Sequence, residues 1–205
     1  MAKPVHDSSS SRRRPRRCGT LPSDVEDKFR QAVSGAERIA VLAVGSTLRG
    51  DDAAGLLAAQ ALARHIGRKR TTPEIAIFQG ETAPENQTGA IKRFRPTHLI
   101  ILDAADLGRE AGHIELIDSE AFSTNASFST HSLPLKILVD YLRSFAPFEV
   151  IVIGIQPATT EFGQPPTPEV VQAARAVAAM VAACVAKGSK ANSSIEGRTL
   201  RDGTP

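Results

Sequence analysis

The chain has 205 residues, of which 41% are hydrophobic and 23% charged, a balance that suits one domain with a real core plus tails and excludes a wholly disordered polypeptide. Aromatic residues are 4% with no Trp, so aliphatic and Ala packing must build that core. The formal charge of +3 belongs to the ends: residues 1–20 carry +5 and residues 187–205 carry +2, which leaves −4 on 21–186, so the pI of about 9.1 marks no nucleic-acid-binding face.

Residues 1–20, MAKPVHDSSSSRRRPRRCGT, are Ser-, Arg- and Pro-rich and read as a disordered basic arm. No apolar stretch follows the Arg cluster, so a secretion signal is not expected. Ser23 and Glu26 form a capping-box pair that opens a short helix with Val25, Phe29 and Val33 on one face. Arg38 to Val44 reads as a buried strand. From Asp52, DAAGLLAAQALARHI reads as a helix to about Ile66 with Asp51 and Asp52 at its positive end. Glu74 to Phe78 reads as a short strand and Pro84 to Phe94 as a helix with Pro near its first position. Thr97 to Asp103, THLIILD, is a second apolar strand that ends in an acid, and His113 to Ile117 is a shorter alternating one.

The polar stretch Ser119 to Ser129 predicts a loop across the top of the sheet. Leu133 to Phe145 has helical spacing, Phe148 to Ile155 reads as another buried strand, QPATTEFGQPPT as a Pro-rich loop, and Pro168 to Lys187 as a long Ala/Val helix. The remainder, whose IEGR matches a protease tag-removal site and is equally compatible with a natural sequence, reads as a flexible tail. The expected organisation is an arm over 1–20, one domain over 21–187 and a tail over 188–205. Continuous apolar strands alternating with helices predict a three-layer α/β/α domain around a mostly parallel, twisted sheet of about five strands. The tight link after Asp103 predicts one antiparallel edge strand. No apolar run approaches the ~18 residues needed to cross a bilayer, so no membrane insertion is expected. Cys18 and Cys184 lie in or near opposite tails with no metal or redox spacing, which predicts a reducing, cytoplasmic setting.

The stretch VLAVGSTLRGDDAAG, Val41 to Gly55, concentrates the chemistry. A strand runs into a Gly-rich turn, two acids and a helix, and ligands of open α/β sheets bind at the loops leaving the strands' C-terminal ends. Adjacent acids at a helix start commonly serve as caps; Gly45, Gly50 and Gly55 let the backbone bend tightly beside them. One acid can face the crevice while the other caps, and spacing alone does not say which. Asp103 ends its strand at the same rim, with Asp106 as a competitor. His131 sits in STHSLP before a helix, whereas His6 lies in the tail, His65 ends a helix, and His98 and His113 lie at strand starts, expected on the opposite rim. Two carboxylates and an imidazole form a mixed oxygen/nitrogen set suited to Zn, Ni, Mn or Fe, with positions left open for substrate or water. The chain has neither a nucleophile elbow nor a phosphate loop.

At these residues the chain resembles the hydrogenase maturation proteases, the endopeptidases that trim nickel-iron hydrogenase large subunits, in particular the formate-hydrogenlyase-type branch. The first signature is GSTLRGDDAAG, Gly45 to Gly55; the second is LDAADLG from Leu102; the third is STHSLPL. ETAPEN, RFRPTHLI and VIGIQP also look like that branch, and the resemblance spans roughly Arg38 to Val185. The usual Asn after the first Gly is Ser46 here, a residue that can also hydrogen-bond within a turn.

The resemblance implies a phosphorylase/hydrolase-like fold, and that Asp52, Asp103 and His131 fall on the metal-binding positions, with Asp52 and Asp103 catalytic and Gly45, Ser46, Gly50 and Asp51 positioning the substrate. It implies an endopeptidase that reads nickel already loaded into the precursor of the large subunit, the nickel coming with the substrate rather than as a tightly held resident metal. It then removes the precursor's C-terminal peptide. Neither a specific nucleic acid nor a membrane is implied as partner. The rival reading is a non-catalytic, metal-sensing chaperone that holds the precursor without cutting it.

Overall fold

The computed structural model describes residues 21, 23–67, 71–117 and 132–192, with the side chains of the last stretch over 135–185. The chain runs α1 (Ser23–Ala32), β1 (Arg38–Val44), a 3₁₀ turn (Gly50–Ala53), α2 (Ala54–Ile66), β2 (Glu74–Glu81), a second 3₁₀ turn (Pro84–Gln87), α3 (Thr88–Phe94), β3 (His98–Ala104), β4 (Ile114–Ile117), α4 (Ser132–Arg143), β5 (Glu149–Ile155) and α5 (Pro168–Asn192). The five strands form one sheet in the order β2-β1-β3-β5-β4. β2, β1, β3 and β5 are parallel, and β4 alone runs antiparallel, on the edge beside β5. The expected three-layer domain with one antiparallel edge strand is what forms.

Strand geometry sorts the apolar residues to two sides, because successive side chains point to opposite faces. Ile39, Val41 and Ala43 of β1 and Ile100, Leu102 and Ala104 of β3 bury against α1, α2 and α5. Ala40, Leu42 and Val44, with Leu99 and Ile101, bury against α3 and α4. The strands therefore read as unbroken apolar runs: both faces are covered. Phe29 plugs α1 onto the first side, a burial that stabilises by about 1.5–3 kcal/mol.

Several boundaries differ from expectation. β2 continues to Glu81, past a register shift opposite Ala43 and Val44. The helix expected from Pro84 splits into a 3₁₀ turn with Pro84 at its start and a shorter α3, and the helix expected from Asp52 opens likewise as a 3₁₀ turn. α5 extends to Asn192. Its stretch Pro168–Val185 is long and apolar enough to span a bilayer, contrary to the expectation that no run is, but Val170, Ala173, Ala174, Val177, Ala178 and Val181 bury one side of it in the core against α2 and the sheet. Cys184, near the C-terminal tail, is a buried core residue of this helix. Cys18, the basic arm and the whole Ser119 to Ser129 stretch lie outside the described residues.

Candidate functional site

β1 and β3 are neighbours, yet the chain leaves β1 for β2 on one side and β3 for β4 and β5 on the other. That divergence makes the C-terminal ends of β1 and β3 the switch point of the sheet, the place where an open α/β sheet is expected to bind ligands. Asp52 lies in the 3₁₀ turn that follows β1, and Asp103 lies near the C-terminal end of β3. The 3₁₀ turn carrying Asp52 packs directly on β3. Both acids are nearly closed off from water, with 3% and 2% of their surfaces exposed.

Two glycines make that approach possible. A Cβ on Gly55 would run into the carbonyl oxygens of Leu102 and Val44, so only glycine lets α2 start flush against the ends of β3 and β1. Gly45 has φ of +124°, which L side chains rarely adopt, and a Cβ there would strike the carbonyl oxygen of Asp52. Its N–H donates to the carbonyl of Glu81, 3.0 Å away, so the loop leaving β1 is tied to the end of β2. Ser46 accepts the Leu48 N–H on Oγ at 3.3 Å and donates its own N–H to the Asp52 carbonyl at 3.3 Å. A hydroxyl accepting from the residue two positions on is the serine counterpart of the turn an Asn makes. Gly50 is buried, and its N–H donates to the Gln164 carbonyl at 3.1 Å.

Asp51 caps no helix. The residue before the 3₁₀ turn is Arg49 and the residue before α2 is Ala53, and neither start has a side-chain cap. Instead the Asp51 carboxylate, fully buried, reaches across to the loop between β5 and α5. It accepts the N–H of Ala158 at 2.8 Å, of Thr159 at 3.3 Å and of Thr167 at 2.6 Å, and the Thr167 hydroxyl sits 3.0 Å from each of its oxygens. Its own N–H donates to the Thr159 carbonyl at 2.9 Å. Thus one of the two adjacent acids clamps a distant loop rather than capping a helix, while the other stays buried in the turn packed on β3.

Asp103 and Asp106 divide in the same way. Asp106 is exposed, and its Oδ1 accepts the Gly108 N–H at 3.2 Å in a local turn. Asp103 is inside β3, level with Gly154 of β5. It alternates with Leu102 and so falls on the side of the sheet that α4 covers. α4 begins at Ser132, immediately after His131 in the chain; His131 itself lies outside the described residues. Among the described residues, no three His, Cys, Asp or Glu side chains form a metal-binding group.

Of the other histidines, His98 sits at the start of β3 on the opposite rim, as expected. Burial pushes its imidazole below the ordinary 6.5, against a smaller upward pull from Glu149. His113 is a correction. β4 runs antiparallel, with Ile114 opposite Ile155, so the start of β4 lies on the same rim as Asp103. There its carbonyl accepts the Gln156 N–H at 2.8 Å, and its ring lies 3.6 Å from Glu115.

Gln156 is the residue that sequence reasoning missed. It is buried one step past β5, where its Oε1 accepts the N–H groups of Leu107 at 2.6 Å and Arg109 at 3.2 Å. Its Nε2 donates to the Pro157 carbonyl at 3.1 Å. The side-chain amide thus holds the loop that follows Asp103. A polar residue ending the run EVIVIGI before Pro157 was the available signal.

A family model described as hydrogenase maturation protease matches residues 59–184, a span that includes Asp103 and begins after Asp52. The hydrogenase 3 maturation protease of Escherichia coli K12 is 38% identical over 138 residues, covering 67% of this chain and 84% of that protein. The crystal structure of the NiFe hydrogenase maturation protease HycI from Thermococcus kodakarensis superposes with a TM-score of 0.69 at 30% identity, over 77% of this chain and 98% of that one. The solution structure of the endopeptidase HycI from Escherichia coli does so with a TM-score of 0.59 at 34% identity, over 69% and 87%.

Proposed function

From the premise that this chain belongs to the hydrogenase maturation proteases, and is therefore a peptidase, we propose that it removes the C-terminal peptide of a nickel-iron hydrogenase large-subunit precursor after nickel has been inserted. The observation that supports this reading is the pair of buried acids, Asp52 in the turn after β1 and Asp103 in β3, near the C-terminal ends of two paired strands. Two carboxylates in so dry a place attract a cation strongly, because little water screens them. Oxygen donors, with the imidazole of His131, the residue that precedes α4 in the chain, make a set that fits a divalent first-row ion. The ion arrives as part of the substrate. Its presence brings the precursor's tail over the switch point, so cleavage follows insertion.

The residues of the chain then have separate tasks. Asp52, Asp103 and His131 read the nickel of the precursor. One of the two acids takes the proton from the water that attacks the peptide bond, and that proton passes to the departing amine. Gly45, Ser46 and Gly50 hold the turn in which Asp52 sits, and Asp51 holds the neighbouring loop in register with it.

The direct test incubates the protein with nickel-loaded and nickel-free precursor and follows loss of the C-terminal peptide by mass spectrometry. Only the loaded form should be cut. Asp52→Asn and Asp103→Asn should each abolish cutting while the melting temperature stays within a few degrees. Equal cleavage of both forms would remove the metal-reading role. A precursor bound but never cut, with Asp52→Asn abolishing only the binding, would return the protein to the holding role of a chaperone.

A further inference from the structure

Among the described residues, the large hydrophobic side chains left exposed are Leu48, Ile137, Tyr141, Phe145 and Phe162. Ile137 and Tyr141 belong to α4, and Phe145 to the turn after it. Leu48 and Phe162, 61% and 73% exposed, stand instead on the two loops beside the switch point. Those loops are zipped together. Gly163 N–H donates to the Leu48 carbonyl at 2.8 Å, Gly50 N–H to the Gln164 carbonyl at 3.1 Å, and Asp51 N–H to the Thr159 carbonyl at 2.9 Å. The buried Asp51 carboxylate adds the Ala158 and Thr167 contacts from below.

Leu48 and Phe162 are therefore neighbours along a rigid seam, and Leu48 lies four residues before Asp52 in the same loop. Two bulky apolar groups held in water on a fixed frame are poised to be covered by something apolar. We infer that Leu48 and Phe162 form the seat for an apolar stretch of the precursor polypeptide beside the scissile bond. The occupant follows from continuity with the switch point: a peptidase must lay an extended chain across the loop that carries its working acid, and this seam is the apolar part of that loop's surroundings. Asp51 acts here as a positioning residue, setting where Phe162 stands relative to Asp52. The inference rests on Asp52 lying at the site of cleavage.

The test is steady-state kinetics of the full chain on whichever form of the precursor is cut, with the double variant Leu48→Ser/Phe162→Ser. KM should rise about tenfold or more, as expected for losing the burial of two apolar side chains, with kcat within about twofold of the parent. The melting temperature should not fall, since both side chains are exposed. Leu48→Met/Phe162→Leu should restore KM. An unchanged KM in the serine variant, or a loss of kcat alone, would overturn the seat. Self-association seen by sedimentation and abolished by the serine variant would assign the seam to a second copy of the chain, and that also overturns it. Whether nickel-free precursor is cut by the parent chain is read separately, so the metal-reading role and the apolar seat can fail independently.

Discussion

Replacing Asp51 by Ala separates the clamp from the chemistry. The carboxylate supplies the acceptor for three backbone N–H groups, of Ala158, Thr159 and Thr167, and for the Thr167 hydroxyl. Each charge-assisted bond lost is worth about 1.5–3 kcal/mol, and part is recovered because the loop is only partly buried and can admit water. A net loss of about 3–5 kcal/mol follows, a large share of the 5–15 kcal/mol that about holds a domain folded. For a domain of this size that corresponds to a fall in melting temperature on the order of 10 °C. Asp51→Asn keeps one acceptor oxygen and should lose roughly half as much. The assay is thermal unfolding paired with amide hydrogen exchange, read at Ala158, Thr159 and Thr167. Those amides should lose protection before the strands do. A melting temperature within about 2 °C of the parent, with the three amides as protected as before, would refute the clamp.

Two further predictions come from packing and burial. Gly55→Ala places a methyl group against the Leu102 and Val44 carbonyls, which are backbone and cannot swing away, so α2 must lift off the sheet; a loss of about 3 kcal/mol or more, or failure to accumulate folded protein, is expected in urea unfolding, and a wild-type midpoint would refute the close approach. His98 has its folded-state imidazole pushed below its ordinary value, so the unfolded chain binds the extra proton first as the pH drops. Stability is then full above about 6.5 and declines as pH falls through that value toward the lower folded one. The fall in melting temperature between pH 7.5 and pH 5 should be shallower in His98→Gln, and an identical slope in both proteins would sink this assignment.

Much of the fold was legible because its signals are local. THLIILD and FEVIVIGI admit hardly any reading but buried strands, and the turn after Asp103 announced the antiparallel edge. What failed was also local in appearance but not in cause. His113 was placed on the wrong rim because a residue at a strand start takes its rim from the direction of that strand, and direction is a property of pairing. The Ala/Val pattern from Pro168 reads as a long helix, yet the apolarity of Pro168–Val185 alone would also suit a bilayer. Only the buried side against α2 and the sheet separates the two.

By itself, the sequence determined the layer order, the two-sided burial of the strands, and the residue types available for chemistry at Gly45 to Gly55 and at Asp103. It also carried the ordered signatures by which the chain resembles its family, because motifs are read along the chain. It left Asp51 and Asp52 indistinguishable, since both are acids in one turn. The tertiary structure divided them by reach: the Asp51 carboxylate meets Thr167, more than a hundred residues away, while Asp52 stays buried in the turn packed on β3. The same holds for Gln156, whose amide closes on Leu107 and Arg109, and for Leu48 and Phe162, neighbours only because two loops pair. Partners this far apart in sequence leave no period or spacing to read; they are chosen by the sheet order β2-β1-β3-β5-β4, which sets which loops share a rim.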